Sequence, residues 1–164
     1  MMKDETEPVP FRFALTDVKE YGEMDVAAQA PAEAFAGVLS EGSLAGPVAL
    51  RGVIRRADDD AVFTGSVSGR WRFECSRCLA PVDGEWSETF EATASIDGGP
   101  MDLTDEARQS IGLAQPMKVF CKPDCKGLCP TCRMNLNTTN CGHTPTVDAP
   151  DTVRPRLTQR RKKG

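Results

Sequence analysis

Seven cysteines and the chain's single histidine fall into three groups: Cys75-x2-Cys78, Cys121-x3-Cys125-x3-Cys129-x2-Cys132 and Cys141-x-His143. Eight such donors suffice for two tetrahedral zinc ions. Zinc takes four S or N ligands at about 2.0–2.3 Å, and a Cys-x2-Cys turn offers two thiolates from one tight loop. Gly127 and Pro130, inside Cys125-Lys-Gly-Leu-Cys129-Pro-Thr-Cys132, supply the turns that ligand loops need. The plainer alternative, a set of buried apolar thiols, does not account for this spacing. The start, Met1-Met2-Lys3-Asp4-Glu5-Thr6-Glu7, carries no apolar leader, so a reducing cytoplasm is expected. There, grouped cysteines bind metal or do redox chemistry more often than they form structural disulfides.

Two groupings of the ligands are open. The favoured one sets Cys75, Cys78, Cys121 and Cys125 on one ion and Cys129, Cys132, Cys141 and His143 on the other, the second closing within a short segment like a zinc knuckle. The alternative sets Cys121, Cys125, Cys129 and Cys132 on one ion and Cys75, Cys78, Cys141 and His143 on the other. Either way both coordination shells are filled by protein, as in structural sites, and no position is left for a catalytic water.

Arg77, Lys118, Lys122, Lys126 and Arg133 stand beside the ligands. They would offset the negative charge of thiolate clusters and leave a cationic rim able to touch phosphate; charge neutralisation alone would explain them as well. Residues Arg154–Gly164 hold six cations and no acid, Arg160, Arg161, Lys162 and Lys163 among them, so the preceding chain carries −10 against −4 for the whole. An acidic body with a basic tail is a layout of nucleic-acid-contacting extensions, and equally of a plain solvated terminus. Such a tail would touch phosphates without reading sequence.

Other motifs carry no chemistry. Gly65-Ser66-Val67-Ser68-Gly69 matches the G-x-S-x-G of hydrolase elbows, but it lies within an alternating strand, where the glycines are expected to mark a bend or bulge. Asn137-Thr138-Thr139 fits a glycosylation sequon without consequence in a cytoplasmic chain. There is no P-loop, dinucleotide fingerprint or H-E-x-x-H. No enzyme activity is expected.

The elements that must position the cysteines are legible in the middle of the chain. Val48, Leu50 and Ile54 begin an imperfect strand that ends at Asp58-Asp59-Asp60. Phe63, Gly65, Val67, Gly69, Trp71 and Phe73 then alternate with polar residues. Beyond Pro81 so do Val82, Gly84, Trp86, Phe90, Ala92, Ala94 and Ile96, with Glu88 the exception. Period-two patterning predicts long antiparallel strands with one face buried, Trp71 and Trp86 included. The first cysteine pair then sits in the hairpin connection. Phe11–Leu15 reads as a short strand and Ala32–Leu39, after Pro31, as a short helix. A second helix opens at Asp102-Leu103-Thr104-Asp105, with Leu103, Ala107, Ile111 and Ala114 on one face and Pro116 at its end.

At 164 residues the chain suits one domain with an appendage. Its mean hydropathy of −0.37 is too polar for a membrane protein, and no apolar run approaches the roughly 20 residues of a spanning helix. The expected organisation is a disordered 1–10, an α+β antiparallel-sheet domain over 11–116 with two short helices, a cysteine-rich zinc-binding appendage over 117–145 packed on the Cys75/Cys78 turn, and a disordered basic tail over 146–164.

Phe73-Glu-Cys-Ser-Arg-Cys-Leu79, Pro116-Met-Lys118 and Cys121-Lys-Pro-Asp-Cys-Lys-Gly-Leu-Cys-Pro-Thr-Cys132 together resemble the bacterial YceD-like family of large ribosomal RNA subunit accumulation proteins. Asn135-Leu-Asn137 and Cys141-Gly-His143 resemble that family's ending, with His143 in place of the usual thiol and Arg133 where glycine is commoner. The resemblance spans roughly residues 44–143. It implies a role in making or maintaining large-subunit (23S) ribosomal RNA, through contact with that RNA, a ribosomal protein or a pre-ribosomal particle, and carries over no catalytic residue. No membrane and no small-molecule substrate are expected. Among aromatic residues near the cysteines, Phe120 is a candidate for base stacking. A different class of function, a zinc–thiolate redox or metal-responsive regulator, is left open by the cations beside Cys78, Cys121 and Cys125.

Overall fold

The computed structural model describes residues 10–143. Its elements are β1 (Arg12–Phe13), α1 (Thr16–Tyr21), β2 (Glu23–Ala30), a 3-10 turn (Ala32–Phe35), β3 (Ser43–Leu44), β4 (Val48–Ala57), β5 (Asp60–Glu74), β6 (Pro81–Ser95), β7 (Met101–Asp102) and α2 (Thr104–Leu113). The expected ends, residues 1–9 of the N-terminus and the basic tail, lie outside the described residues. No helix among the described residues is long and apolar enough to cross a membrane.

The architecture is α+β and every strand pair is antiparallel. β2, β4 and β5 run side by side, β3 extends the β4 edge of β5, and β6 covers its other edge. β5 and β6 pair over their whole length, from Asp60↔Ser95 to Glu74↔Pro81, and so deliver the Cys75–Ala80 connection to one end of the sheet. Alternation puts Val48, Leu50, Ile54, Phe63, Val67 and Trp86 on the buried face, where α2 closes over them with Leu103, Ala107 and Ile111. Asp102 Oδ1 accepts the Thr104 N–H at the start of α2. Thr104 Oγ1 in turn accepts the Phe11 N–H, which ties the start of the described chain to the helix.

Several expectations are corrected. Phe11–Leu15 is a strand only at Arg12–Phe13, while Phe11 and Leu15 are buried in the core. α1 and β2 were not foreseen. The helix expected over Ala32–Leu39 is a single 3-10 turn ending at Phe35: Ala36 is already extended at ψ 137, and Gly37 at φ +77 carries the chain through the turn that follows. The glycines of β5 mark no bulge, since the ladder runs through them unbroken. Instead, Trp86 lies directly across from Gly69 and Trp71 across from Gly84. A Cβ on Gly69 would sit 2.9 Å from the Trp86 ring, and one on Gly84 would run into the Trp71 ring. Each ring lies over bare backbone, an arrangement that shields it from water. Glu88 is half-buried on the core-facing row of β6, opposite Val67. β6 has an unpaired outer edge among the described residues, and an inward-facing charge discourages another strand from adding there.

Candidate metal centres

The two Cys-x2-Cys turns are built alike. The Cys75 N–H donates to the Ala80 carbonyl at 2.8 Å and the Leu79 N–H returns to the Cys75 carbonyl at 2.9 Å. In the second turn the Cys129 N–H donates to the Met134 carbonyl at 2.9 Å and the Arg133 N–H to the Cys129 carbonyl at 2.8 Å. The residue after the second cysteine is left-handed in both, Leu79 at φ +60 and Arg133 at φ +58. Each turn aims backbone N–H groups at its first sulfur, those of Arg77 and Cys78 at Cys75 and those of Thr131 and Cys132 at Cys129. The turns are joined through the segment between them: the Ser76 N–H donates to the Val119 carbonyl at 2.8 Å, and the Leu128 N–H to the Arg77 carbonyl at 3.2 Å.

These bonds gather the donors into two groups, Cys75, Cys78, Cys121 and Cys125 in one and Cys129, Cys132, Cys141 and His143 in the other, with ligand atoms within 4.8 Å of one another in each. This is the grouping favoured from spacing. All seven cysteines are free thiols. Cys75 and Cys125 sulfurs are 3.8 Å apart, Cys78 and Cys121 sulfurs 3.6 Å, and Cys129 Sγ lies 3.8 Å from His143 Nδ1. Four sulfurs at about 2.3 Å from a tetrahedral zinc are separated by about 3.8 Å, so the donor sets fit a tetrahedral ion. Cys75, Cys78, Cys125 and Cys129 are buried and Cys121 and Cys132 exposed.

Electrostatics separate the thiols within each group. Burial pushes Cys75 up, but the N–H groups of Cys78, Arg77 and Cys121 outweigh it and bring the thiol to about 6. The Cys132 and Thr131 N–H groups bring Cys129 to about 6 against burial. Cys125 is lowered, first by the Asn137 amide, whose Nδ2 donates to its sulfur at 3.3 Å. Cys121 is pushed up to about 12, by desolvation of its sulfur and by the Cys78, Cys125 and Cys75 sulfurs packed against it. The His143 N–H lowers Cys141, yet Cys129, desolvation and Cys132 together leave it raised. Asn137 was missed from sequence, where it reads only as a turn residue or sequon. Its own amide is held by Asn135 Oδ1 at 2.9 Å, while its Oδ1 accepts the Lys126 N–H at 2.9 Å.

The expected cationic rim divides. Lys118, Lys122, Lys126 and Arg133 are exposed on the cysteine-rich segment. Arg77 is engaged internally: its guanidinium donates to the Cys125 carbonyl at 3.2 Å and lies 4.6 Å over the Phe120 ring. Arg160, Arg161, Lys162 and Lys163 lie outside the described residues.

Residues 92–159 match the family model described as large ribosomal RNA subunit accumulation protein YceD. Over this stretch the chain is similar to that family. The match takes in six of the eight candidate ligands, leaves Cys75 and Cys78 to the preceding hairpin, and is shifted toward the C-terminus relative to the roughly 44–143 span of the resemblance. An uncharacterised protein of Mycobacterium tuberculosis is 31% identical over 100 residues, covering 51% of this chain and 48% of that one. An uncharacterised protein of Mycobacterium leprae is 25% identical over 107 residues, covering 55% and 49%. A chloroplast protein of Zea mays, named as a YCED homolog and large ribosomal RNA subunit accumulation protein, is 36% identical over 58 residues, covering 35% of this chain and 19% of that one. The chain thus spans about half the length of the mycobacterial relatives it matches. No solved structure matches.

Proposed function

We propose that this chain is a non-enzymatic, zinc-held factor for the accumulation of large-subunit ribosomal RNA, acting by binding that RNA or a ribosomal protein of the pre-ribosomal particle in the cytoplasm. The observation that carries the reading is the match of residues 92–159 to a family described by that role. One zinc ion would be held by Cys75, Cys78, Cys121 and Cys125 and a second by Cys129, Cys132, Cys141 and His143, a donor set that suits zinc over harder cations. With four protein donors each, the ions act as crosslinks rather than Lewis acids. Lys118, Lys122, Lys126 and Arg133 provide a phosphate-facing rim, and the basic tail adds contacts that do not read sequence. Loss of the protein is expected to lower the ratio of large- to small-subunit ribosomal RNA. The wild-type chain restores it, and a K118E/K122E/K126E variant that retains zinc does not. An unchanged ratio on loss refutes the proposal.

A second reading, a zinc–thiolate redox or metal-responsive regulator, draws support from the Cys75 and Cys129 thiols, both brought down to about 6 and so reactive as thiolates. Under it, mild peroxide releases zinc and alters partner binding. Zinc retained with binding unchanged eliminates it.

A further inference from the structure

We infer that Phe120 is a stacking platform for an unpaired nucleobase, with Lys118 and Lys122 meeting the flanking phosphates; the inference rests on the reading that this chain binds RNA directly. The segment Lys118–Lys122 alternates. Val119 is buried and Cys121 turns its sulfur into the first donor cluster, while Lys118, Phe120 and Lys122 are exposed. The alternation is pinned in place: Val119 gives and takes a hydrogen bond with Ser76, its N–H reaching Ser76 Oγ at 3.3 Å and its carbonyl accepting the Ser76 N–H at 2.8 Å.

The ring is also backed. The Arg77 guanidinium lies 4.6 Å from its centroid and is itself anchored on the Cys125 carbonyl, yet Phe120 stays 40% exposed. A ring that is already positioned loses little freedom on binding. Exposed large apolar side chains are few among the described residues, and four of the six, Leu79, Met117, Phe120 and Met134, belong to the cysteine segment or the hairpin turn beneath it. Of these only Phe120 is aromatic, and it is framed by lysines that make no ion pair among the described residues. Residues 117–143 carry four cations against one acid, Asp124. An aromatic face between cations suits a polyanion with π-faces, and only an unpaired base offers its face for stacking.

The test uses the full-length zinc-loaded chain and a fluorescently labelled single-stranded RNA of mixed sequence, alone and annealed to its complement. The expected result is preference for the single strand and about a 10-fold or greater loss of affinity in F120A, as removal of one stacked base predicts. F120L, which keeps apolar bulk, is weakened similarly, whereas F120W retains binding; all three keep their zinc. K118A/K122A lowers the slope of log affinity against log salt, as loss of phosphate contacts predicts. If the wild type binds but F120A and F120L bind as tightly, the platform is wrong while RNA binding stands. Duplex bound as well as the single strand also overturns the platform. A wild-type chain that binds neither form at low salt removes the direct-RNA reading together with the platform.

Discussion

Leu79 and Arg133 hold equivalent places, one residue past the second cysteine of each turn, and both are left-handed, at φ +60 and +58. That conformation costs an L-residue roughly 1–2 kcal/mol, while glycine loses about 0.5–1 kcal/mol more chain entropy on ordering. Leu79→Gly and Arg133→Gly are therefore each expected to stabilise the cysteine segment by roughly 0.5–1 kcal/mol, read as a higher thermal midpoint at fixed zinc; a lowered midpoint would contradict the assignment. The glycine commoner at the Arg133 position of the resembling family has its reason in this backbone angle. The sulfurs make a pH prediction. Cys75 and Cys129 have folded values near 6, below the ordinary thiol value of about 8.5. A depressed acid stabilises the fold fully above its unfolded value and loses that contribution as pH falls through the folded one. Metal retention, followed with a chromogenic chelator, should hold at pH 7.5 and be lost only at more acid pH, below the metal-free values of about 6, since protons must there displace the ion from both anchoring sulfurs. Cys121 and Cys141, pushed the other way, must give up protons as metal enters. Release already at pH 7.5 would mean that the clusters are not built as described.

The sheet and the cysteine segment are held by different forces. β4, β5 and β6 bury a continuous apolar face under α2, whereas residues 117–143 bury little beyond Val119 and ligand cysteines. Chelation is thus expected to unfold 117–143 and leave the strands paired, measured by amide exchange; strand amides exchanging as fast as those of the segment would contradict this. β5 and β6 were legible in sequence because one buried face imposes a period of two, and α2 because Leu103, Ala107 and Ile111 recur on one side. β2 carries a weaker form of the same period: Met24, Val26, Ala28 and Ala30 alternate with Glu23, Asp25 and Gln29, but small alanines on both faces blunt the contrast, and the strand is defined by its ladder to β4. α1 has only one buried residue, Val18, too little to leave a period. β1 and β7 are two residues each and exist through their mutual pairing. The eight candidate ligands that the fold gathers could be picked out from spacing alone. Asn137 could not, because its bond to Cys125 depends on how the loop folds back.

Across the whole molecule, the expected zinc ions join what the chain separates. Cys75 and Cys78 come from the end of a long hairpin, Cys121 and Cys125 from beyond α2, and one cluster unites them. The family match begins after the hairpin's first pair and so misses half of that cluster, yet the fold completes it. Zinc at these clusters would stiffen this end of the described chain, where Lys118, Phe120 and Lys122 are exposed. If this end is the working surface, its RNA partner should be found where the protein acts. The most direct measurement is ultraviolet crosslinking of the tagged protein in its own cells, followed by sequencing of the attached RNA. The account predicts enrichment of one region of large-subunit ribosomal RNA over background. Background-level RNA from a protein that still holds its zinc would contradict direct RNA binding and leave a ribosomal protein as the contact.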